Sequence, residues 1–385
     1  MEPTPTPKIT LPKFRNLIVF DGNVTHNWPQ LFEGKTTKDG VPIRVVQCSW
    51  NECSCTVYPD TGCLLTIAPI HESEGKVVRP QVLAVKPDFI LVRNQPRGPT
   101  PVTDRRNTLY GLMLANVPSI NSLQQMYMDL ERTTMISELK AVESRLGHDV
   151  FPLVPITYYD TPERIGVWDG EFPAIIKVSH AHAGMGKAKL ENMGNLQDTA
   201  TILALNQSYC TVEPYIKTTE GIRVQKIGDF YRVYKKVFTG SGWKSQFGGA
   251  DLQIIELTDQ FKLWADECSK CYGGTDLLAI DAVIDEHGKY HILELNGTAI
   301  GIQPQHWVED SQRLVYITIQ KMEEVFCKDK SEGPATQAAK TASDFNSMNK
   351  IIQEYEKEIA KLKSLLKNKD EEKKEESFFS SVFNF

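Results

Sequence analysis

With 385 residues, 41% hydrophobic and 24% charged side chains, the chain has room for two or three domains and the composition of a folded protein. A formal charge of −6 and a pI near 5.8 exclude a general electrostatic attraction to nucleic acid or anionic lipid. The apolar runs are too short to cross a bilayer and no basic-then-apolar leader opens the sequence, so a cytoplasmic protein is expected.

Residues 1–13, rich in proline and threonine, read as a disordered tail. From 14 to 118, apolar runs at 17–20, 43–48, 82–85 and 89–92 alternate with turn residues, and 105–115 has helical spacing. Continuous apolar runs suit buried parallel strands, which predicts a small α/β domain. Residues 119–147 read as one linking helix, with Ile136, Leu139, Val142 and Leu146 on a stripe and Gly147 as its cap. The texture then changes. Strand patterns at 174–178, 210–213, 222–227, 231–238, 277–284 and 290–295 mingle with helical ones at 196–205, 259–272 and 310–326. Hairpins with helices on one face predict an α+β domain, so that 119–327 holds the linking helix and this second domain.

Residues 328–343 form a polar linker without periodicity. Met348, Ile352, Tyr355, Ile359, Leu362 and Leu366 then recur at alternating steps of four and three, which predicts a coiled coil over 344–369 and a homo-oligomer. The charge run and aromatic end at 370–385 read as a second disordered tail. Cys53-x-Cys55 and Cys268-x-x-Cys271 do not complete a zinc site, and reduced structural thiols are expected.

Chemistry concentrates in the second domain. Lys177 closes an apolar strand, where an ammonium needs an anion nearby. Ten residues on, the loop His180-Ala-His-Ala-Gly184-Met-Gly186-Lys187 ends in a lysine after two spaced glycines, a backbone able to approach phosphate oxygens. Ala188 follows that lysine, so this is not a Walker A loop. His180 and His182 have no third ligand near in sequence and read as loop residues. Glu213, Pro214, Tyr215 and Ile216 end another strand, and Arg223, Lys226, Lys235, Lys236 and Lys244 bring positive charge to the next two. If Ile284 pairs with Lys289 across the last hairpin, Asp281 lies opposite Ile292 and shares a face with Glu294 and Asn296. Two carboxylates and an amide oxygen are hard ligands that suit Mg²⁺ or Ca²⁺.

These segments resemble the central domain of the synapsins. The resemblance runs from about residue 14 to 325 and is carried by FRNLIVFDGNVTHNWPQLFEGK (14–35), KPDFILVR (86–93), PSINSL (118–123), HAHAGMGK, EPY, IRVQKIG, SGWK and YGGTDLLAIDAV. It implies a Rossmann-like pre-ATP-grasp α/β domain over 14–118 and an ATP-grasp domain after it. Lys177 and Lys187 would then hold ATP phosphates under a closing loop of Gly184 and Gly186. Glu213 and the backbone of Pro214–Ile216 would receive adenine, and Arg223, Lys226 and Lys244 would add counter-charge. Asp281, Glu294 and Asn296 would hold Mg²⁺ or Ca²⁺. The implied role is an oligomeric, peripheral vesicle-associated scaffold that regulates vesicle clustering and neurotransmitter secretion, with vesicle membrane and cytoskeleton as partners, rather than an efficient catalyst. An alternative rests on Glu294-Leu-Asn296, which is similar to the E-x-N of ATP-grasp ligases that pass an acyl phosphate to an amine or thiol.

Overall fold

The computed structural model describes residues 13–327, apart from 60–61, 69–70, 74–75, 79–81, 99, 162–164, 166–167, 180–184, 206–207, 219 and 239–249. The linker, the expected coiled coil and the C-terminal tail lie outside the described residues, as do residues 1–12, His180, His182, Gly184 and Lys244.

The N-terminal part is built on a four-stranded parallel sheet of β1 (Arg15–Phe20), β2 (Ile43–Cys48), β8 (Phe89–Val92) and β9 (Ser119–Ile120), in the order β2-β1-β8-β9. Leu17 to Phe20 and Phe89 to Val92 are buried without interruption, as a sheet covered on both faces demands. An antiparallel sheet of which only the last strand was expected, β3 (Cys53–Tyr58), β4 (Gly62–Ile67) and β7 (Leu83–Val85), packs with α2 (Arg106–Leu114) over one face. The short β5 (His71–Ser73) and β6 (Lys76–Val78) pair separately, and α1 (Trp28–Leu31) adjoins β2.

The expected single helix over 119–147 is three elements: β9, α3 (Leu123–Asp129) and α4 (Arg132–Leu146). Ser122 starts α3 by accepting the Gln125 amide at 3.0 Å. Glu131 is extended, its carboxylate held by the Tyr209 hydroxyl at 2.9 Å and by Arg97, and the axis breaks there. Gly147, at φ +87°, ends α4.

The second part has two antiparallel sheets. The smaller, ordered β10-β13-β11-β12, joins β10 (Thr157–Tyr159), β11 (Ala174–Val178), β12 (Lys187–Leu190) and β13 (Cys210–Pro214), backed by α5 (Met193–Ala204). The larger, ordered β16-β15-β14-β17-β18, contains β14 (Glu220–Ile227), β15 (Phe230–Phe238), β16 (Ala250–Ile255), β17 (Leu277–Ile284) and β18 (Tyr290–Asn296). Its first face carries Ile222, Val224, Leu278, Ile280 and Ile292 against α4 and α6 (Asp259–Cys268). Its second carries Leu277 and Ala279 toward α7 (Trp307–Phe326) and the parallel sheet. The helix expected at 259–272 stops at Cys268, and a tight turn over Cys271–Gly273 follows. All eight cysteines are free thiols. Among the described residues no helix is long and apolar enough to cross a membrane.

Trp264 anchors the first face: fully buried, it meets Phe261, Phe151 and Tyr290 edge-on and donates its indole N–H to the Val150 carbonyl at 2.8 Å. Trp264→Ala is expected to cost about 3–5 kcal/mol, read as a lower urea midpoint by circular dichroism. A loss below about 1 kcal/mol would mean the site collapses freely.

The β17–β18 register corrects the sequence expectation. Ile284 pairs with Tyr290, not Lys289, and a bulge at Asp281/Ala282 then brings Asp281 opposite Glu294 rather than Ile292. Leu293 is the additional residue on β18, so Ile292 faces the aromatic core while Glu294 faces the other way.

Candidate functional site

The site lies where the polar face of the small sheet meets the second face of the large one. On β11, Ala174 and Ile176 point into the core with α5, and alternation turns Lys177 to the opposite side. Lys187 on β12 and Thr211 on β13 are its direct cross-strand partners, and Glu213 lies two residues further along that face. Lys177 is 4% exposed, and its ammonium pairs with the Glu213 carboxylate. Burial pushes its pKa down to about 8, with Glu213 opposing and Arg132 and Lys187 reinforcing the fall.

Arg132 was not anticipated as a site residue. It opens α4, is 5% exposed, and reaches both sheets: Nη2 donates to Glu213 Oε2 at 3.0 Å, Nε to Thr211 Oγ1 at 3.3 Å, and Nη1 lies 3.8 Å from Glu294 Oε2. Lys187 Nζ approaches the same Glu294 oxygen at 3.7 Å. The Glu213 carboxylate is the shared counter-ion of Lys177 and Arg132. Pro214 closes β13, the Tyr215 amide donates to the Pro173 carbonyl at 3.0 Å beneath Lys189 Nζ, 4.3 Å from the ring centroid, and Ile216 is half-buried. Gly186 has φ +66°, which favours glycine, and its carbonyl accepts the Val178 amide at 2.9 Å.

On the large sheet Tyr234, Arg223, Asp281 and Glu294 form one row across four strands. Asp281 accepts from Arg223 at 2.7 Å, Lys236 at 3.0 Å and Asn296 Nδ2 at 2.9 Å. Burial alone would raise its carboxyl, but Arg223 and Lys236 outweigh it and hold the pKa at about 2. Glu294 is also lowered: Lys187, Lys177 and Arg132 overcome burial and the repulsion of Asp281. The structure therefore brings Lys177, Gly186, Lys187, Glu213, Arg223, Asp281, Glu294 and Asn296 together. It leaves Lys226 out. Three residues from Arg223, Lys226 is on the opposite face, donating to the Gly228 carbonyl at 2.6 Å and lying 5.1 Å from the Tyr231 ring centroid.

Among the described residues no three His, Cys, Asp or Glu side chains assemble as a metal-ligand group. The hairpin supplies two carboxylates and an amide, a partial oxygen set of the kind Mg²⁺ completes with phosphate oxygens and water. The two acids differ in availability. Asp281 already accepts from three donors, whereas Glu294 is more open and its cationic neighbours stand 3.7 and 3.8 Å away.

Two families match this chain. One described as the synapsin ATP binding domain covers residues 121–324, and the synapsin pre-ATP-grasp domain covers 11–119. A curated relative, Synapsin of Drosophila melanogaster, is 32% identical over 323 residues, which is 83% of this chain and 31% of the relative; the chain thus spans about a third of its length. Among solved structures, the ATP-grasp ligase PsnB complexed with a phosphomimetic variant of its minimal precursor, Mg and ADP superposes with a TM-score of 0.53 at 14% identity, covering 80% of this chain and 99% of that one. D-alanyl-alanine synthetase A from Vibrio cholerae gives 0.51 at 14%, covering 81% and 99%. Likeness at this level shows the fold: a pre-ATP-grasp domain followed by an ATP-grasp domain.

Proposed function

The chain belongs to the synapsin family, and on that footing we propose that its facing sheets bind ATP together with a divalent cation, within an oligomeric scaffold at the surface of vesicles. One observation carries the nucleotide reading. Among the described residues, the cations Arg132, Lys177, Lys187, Arg223 and Lys236 surround the carboxylates Glu213, Asp281 and Glu294, an excess of two positive charges. ATP with one divalent cation carries about two negative charges at neutral pH and would balance that excess.

In this reading Lys177 and Lys187 hold phosphate oxygens and the strand end at Pro214–Ile216 meets the base. Glu294 is the principal metal ligand, with Asn296 beside it. Asp281 serves chiefly to hold Arg223 and Lys236 in place, since its oxygens already accept three hydrogen bonds. The bound cation would neutralise phosphate charge. Binding at the vesicle surface, clustering of vesicles, contact with the cytoskeleton and control of neurotransmitter secretion are proposed from family membership, and self-association from the heptads at 344–369.

Glu294→Gln decides the metal assignment. ATP affinity of the wild type in Mg²⁺ is expected to exceed that in EDTA by about tenfold or more, and the variant should lose most of this difference. Isothermal titration reads both. Binding that is equal with and without metal, and unchanged in the variant, would sink the metal reading. ADP release that requires one particular carboxylic acid would overturn the scaffold.

A further inference from the structure

Open parallel sheets usually bind ligands in the crevice beyond the carboxyl ends of their strands, where the strand order reverses. Here the order reverses between β1 and β8, and polypeptide from the ATP-grasp domain lies beside that point, across the ends of β8 and β9. Arg93, directly after β8, donates from Nη1 to the Thr298 carbonyl and from Nη2 to the Ile300 carbonyl. Thr298 answers with its own hydroxyl, within 2.9 Å of the Val92 carbonyl and 3.2 Å of the Ile120 carbonyl. Asp129 Oδ2 accepts the Gly297 amide at 3.0 Å. A side chain at 297 would have to displace two neighbouring side-chain ends, because a Cβ would stand 2.5 Å from Asp129 Oδ2 and 2.7 Å from Gln125 Nε2. The other strand of the hairpin is held at the same end. Asn121 accepts the Asp276 and Leu277 amides at 2.9 and 2.8 Å and donates to the Leu277 carbonyl at 2.8 Å.

The chemistry of Arg93 is unusual for a packing residue. It is 8% exposed, yet it spends its hydrogen bonds on neutral carbonyls, with Asp21 and Asp310 acting on it only through space. A buried guanidinium is costly, and a neutral side chain could fill the volume. Its rigid fork, however, fixes two carbonyls of one turn at once. That turn begins one residue after Asn296 and three after Glu294.

We propose that Arg93 and Thr298 are positioning residues that strap the Glu294–Asn296 strand end to the N-terminal domain, setting where the metal-binding oxygens stand. The metal half of this inference rests on the function proposed above; the strap itself does not. The hairpin would keep its place relative to the parallel sheet whether or not nucleotide is bound.

The test uses the full chain with Arg93→Met, Arg93→Lys and Thr298→Val. Amide hydrogen exchange across 294–300 is expected to quicken about tenfold or more in Arg93→Met and Thr298→Val while β14 keeps wild-type protection, and Arg93→Lys should recover part of the loss. In ATP titrations the same two variants should lose about half or more of the logarithmic gain from Mg²⁺, with affinity in EDTA within about twofold of wild type. Unchanged exchange at 294–300, or acceleration spread equally over β14, would overturn the strap. A wild type indifferent to Mg²⁺ would refute the metal reading alone, leaving exchange to judge the strap. Should Arg93→Met not fold, Thr298→Val and Arg93→Lys carry the same comparison.

Discussion

Lys177→Met is expected to weaken ATP binding by about 100-fold, the loss of one charge-assisted contact to phosphate in a water-poor site. The pH dependence identifies the group responsible. Because burial lowers the free-state pKa of Lys177 to about 8, the ammonium that attracts phosphate is fully present below that pH and is lost above it. ATP, by favouring the charged form, raises the pKa in the complex, so wild-type affinity should fall as pH rises through about 8. Lys177→Arg should show no such fall, since a guanidinium stays charged. Titrations between about pH 7.5 and 9.5 compare the three proteins over a range above the ordinary titration of carboxylates and imidazoles. A slope that persists in Lys177→Met would assign the effect to another group.

Arg132→Met is expected to be the most destabilising change at the site, by about 3–5 kcal/mol in urea unfolding, because it leaves a buried carboxylate undercompensated. Glu213 would keep Lys177 alone, and Glu294 would lose a neighbour 3.8 Å away. The substitution should also be visible in the titration above. Arg132 helps to depress Lys177, so without it the fall in affinity should move to higher pH. A stable variant with the break still near 8 would show that Arg132 is no more than a helix residue beside the site.

The parts of the site that could be read from sequence are those that repeat along one element. Lys177 after an apolar strand, Lys187 after spaced glycines, and the acids of an apolar hairpin all carry local signals. Lys226, expected as counter-charge, departs from this rule: it lies three residues from Arg223 on the same strand, and that odd spacing puts the two on opposite faces. Arg132 offered no such signal. In a pattern read as one long helix it is an ordinary polar residue, and its importance comes from meeting Glu213 and Glu294, 81 and 162 positions away. The division of 119–147 was hidden for the same reason, since Tyr209 and Arg97 hold Glu131 out of the helix from distant parts of the chain. Of the sheet of β3, β4 and β7, only the last strand belongs to the extended runs legible in the sequence.

The bulge at Leu293 has a consequence for anyone transplanting this hairpin. In a regular strand Ile292 and Glu294 would face the same way; here one belongs to the aromatic core and the other to the charged row. A graft that copied only Asp281, Glu294 and Asn296 onto an ideal ladder would retain the oxygen donors but lose the local bend with which β18 presents them. The unit that must travel intact is the five-residue stretch Ile292-Leu-Glu-Leu-Asn296 with its partner strand, and Leu293, which has no partner across the ladder, is the residue that cannot be trimmed.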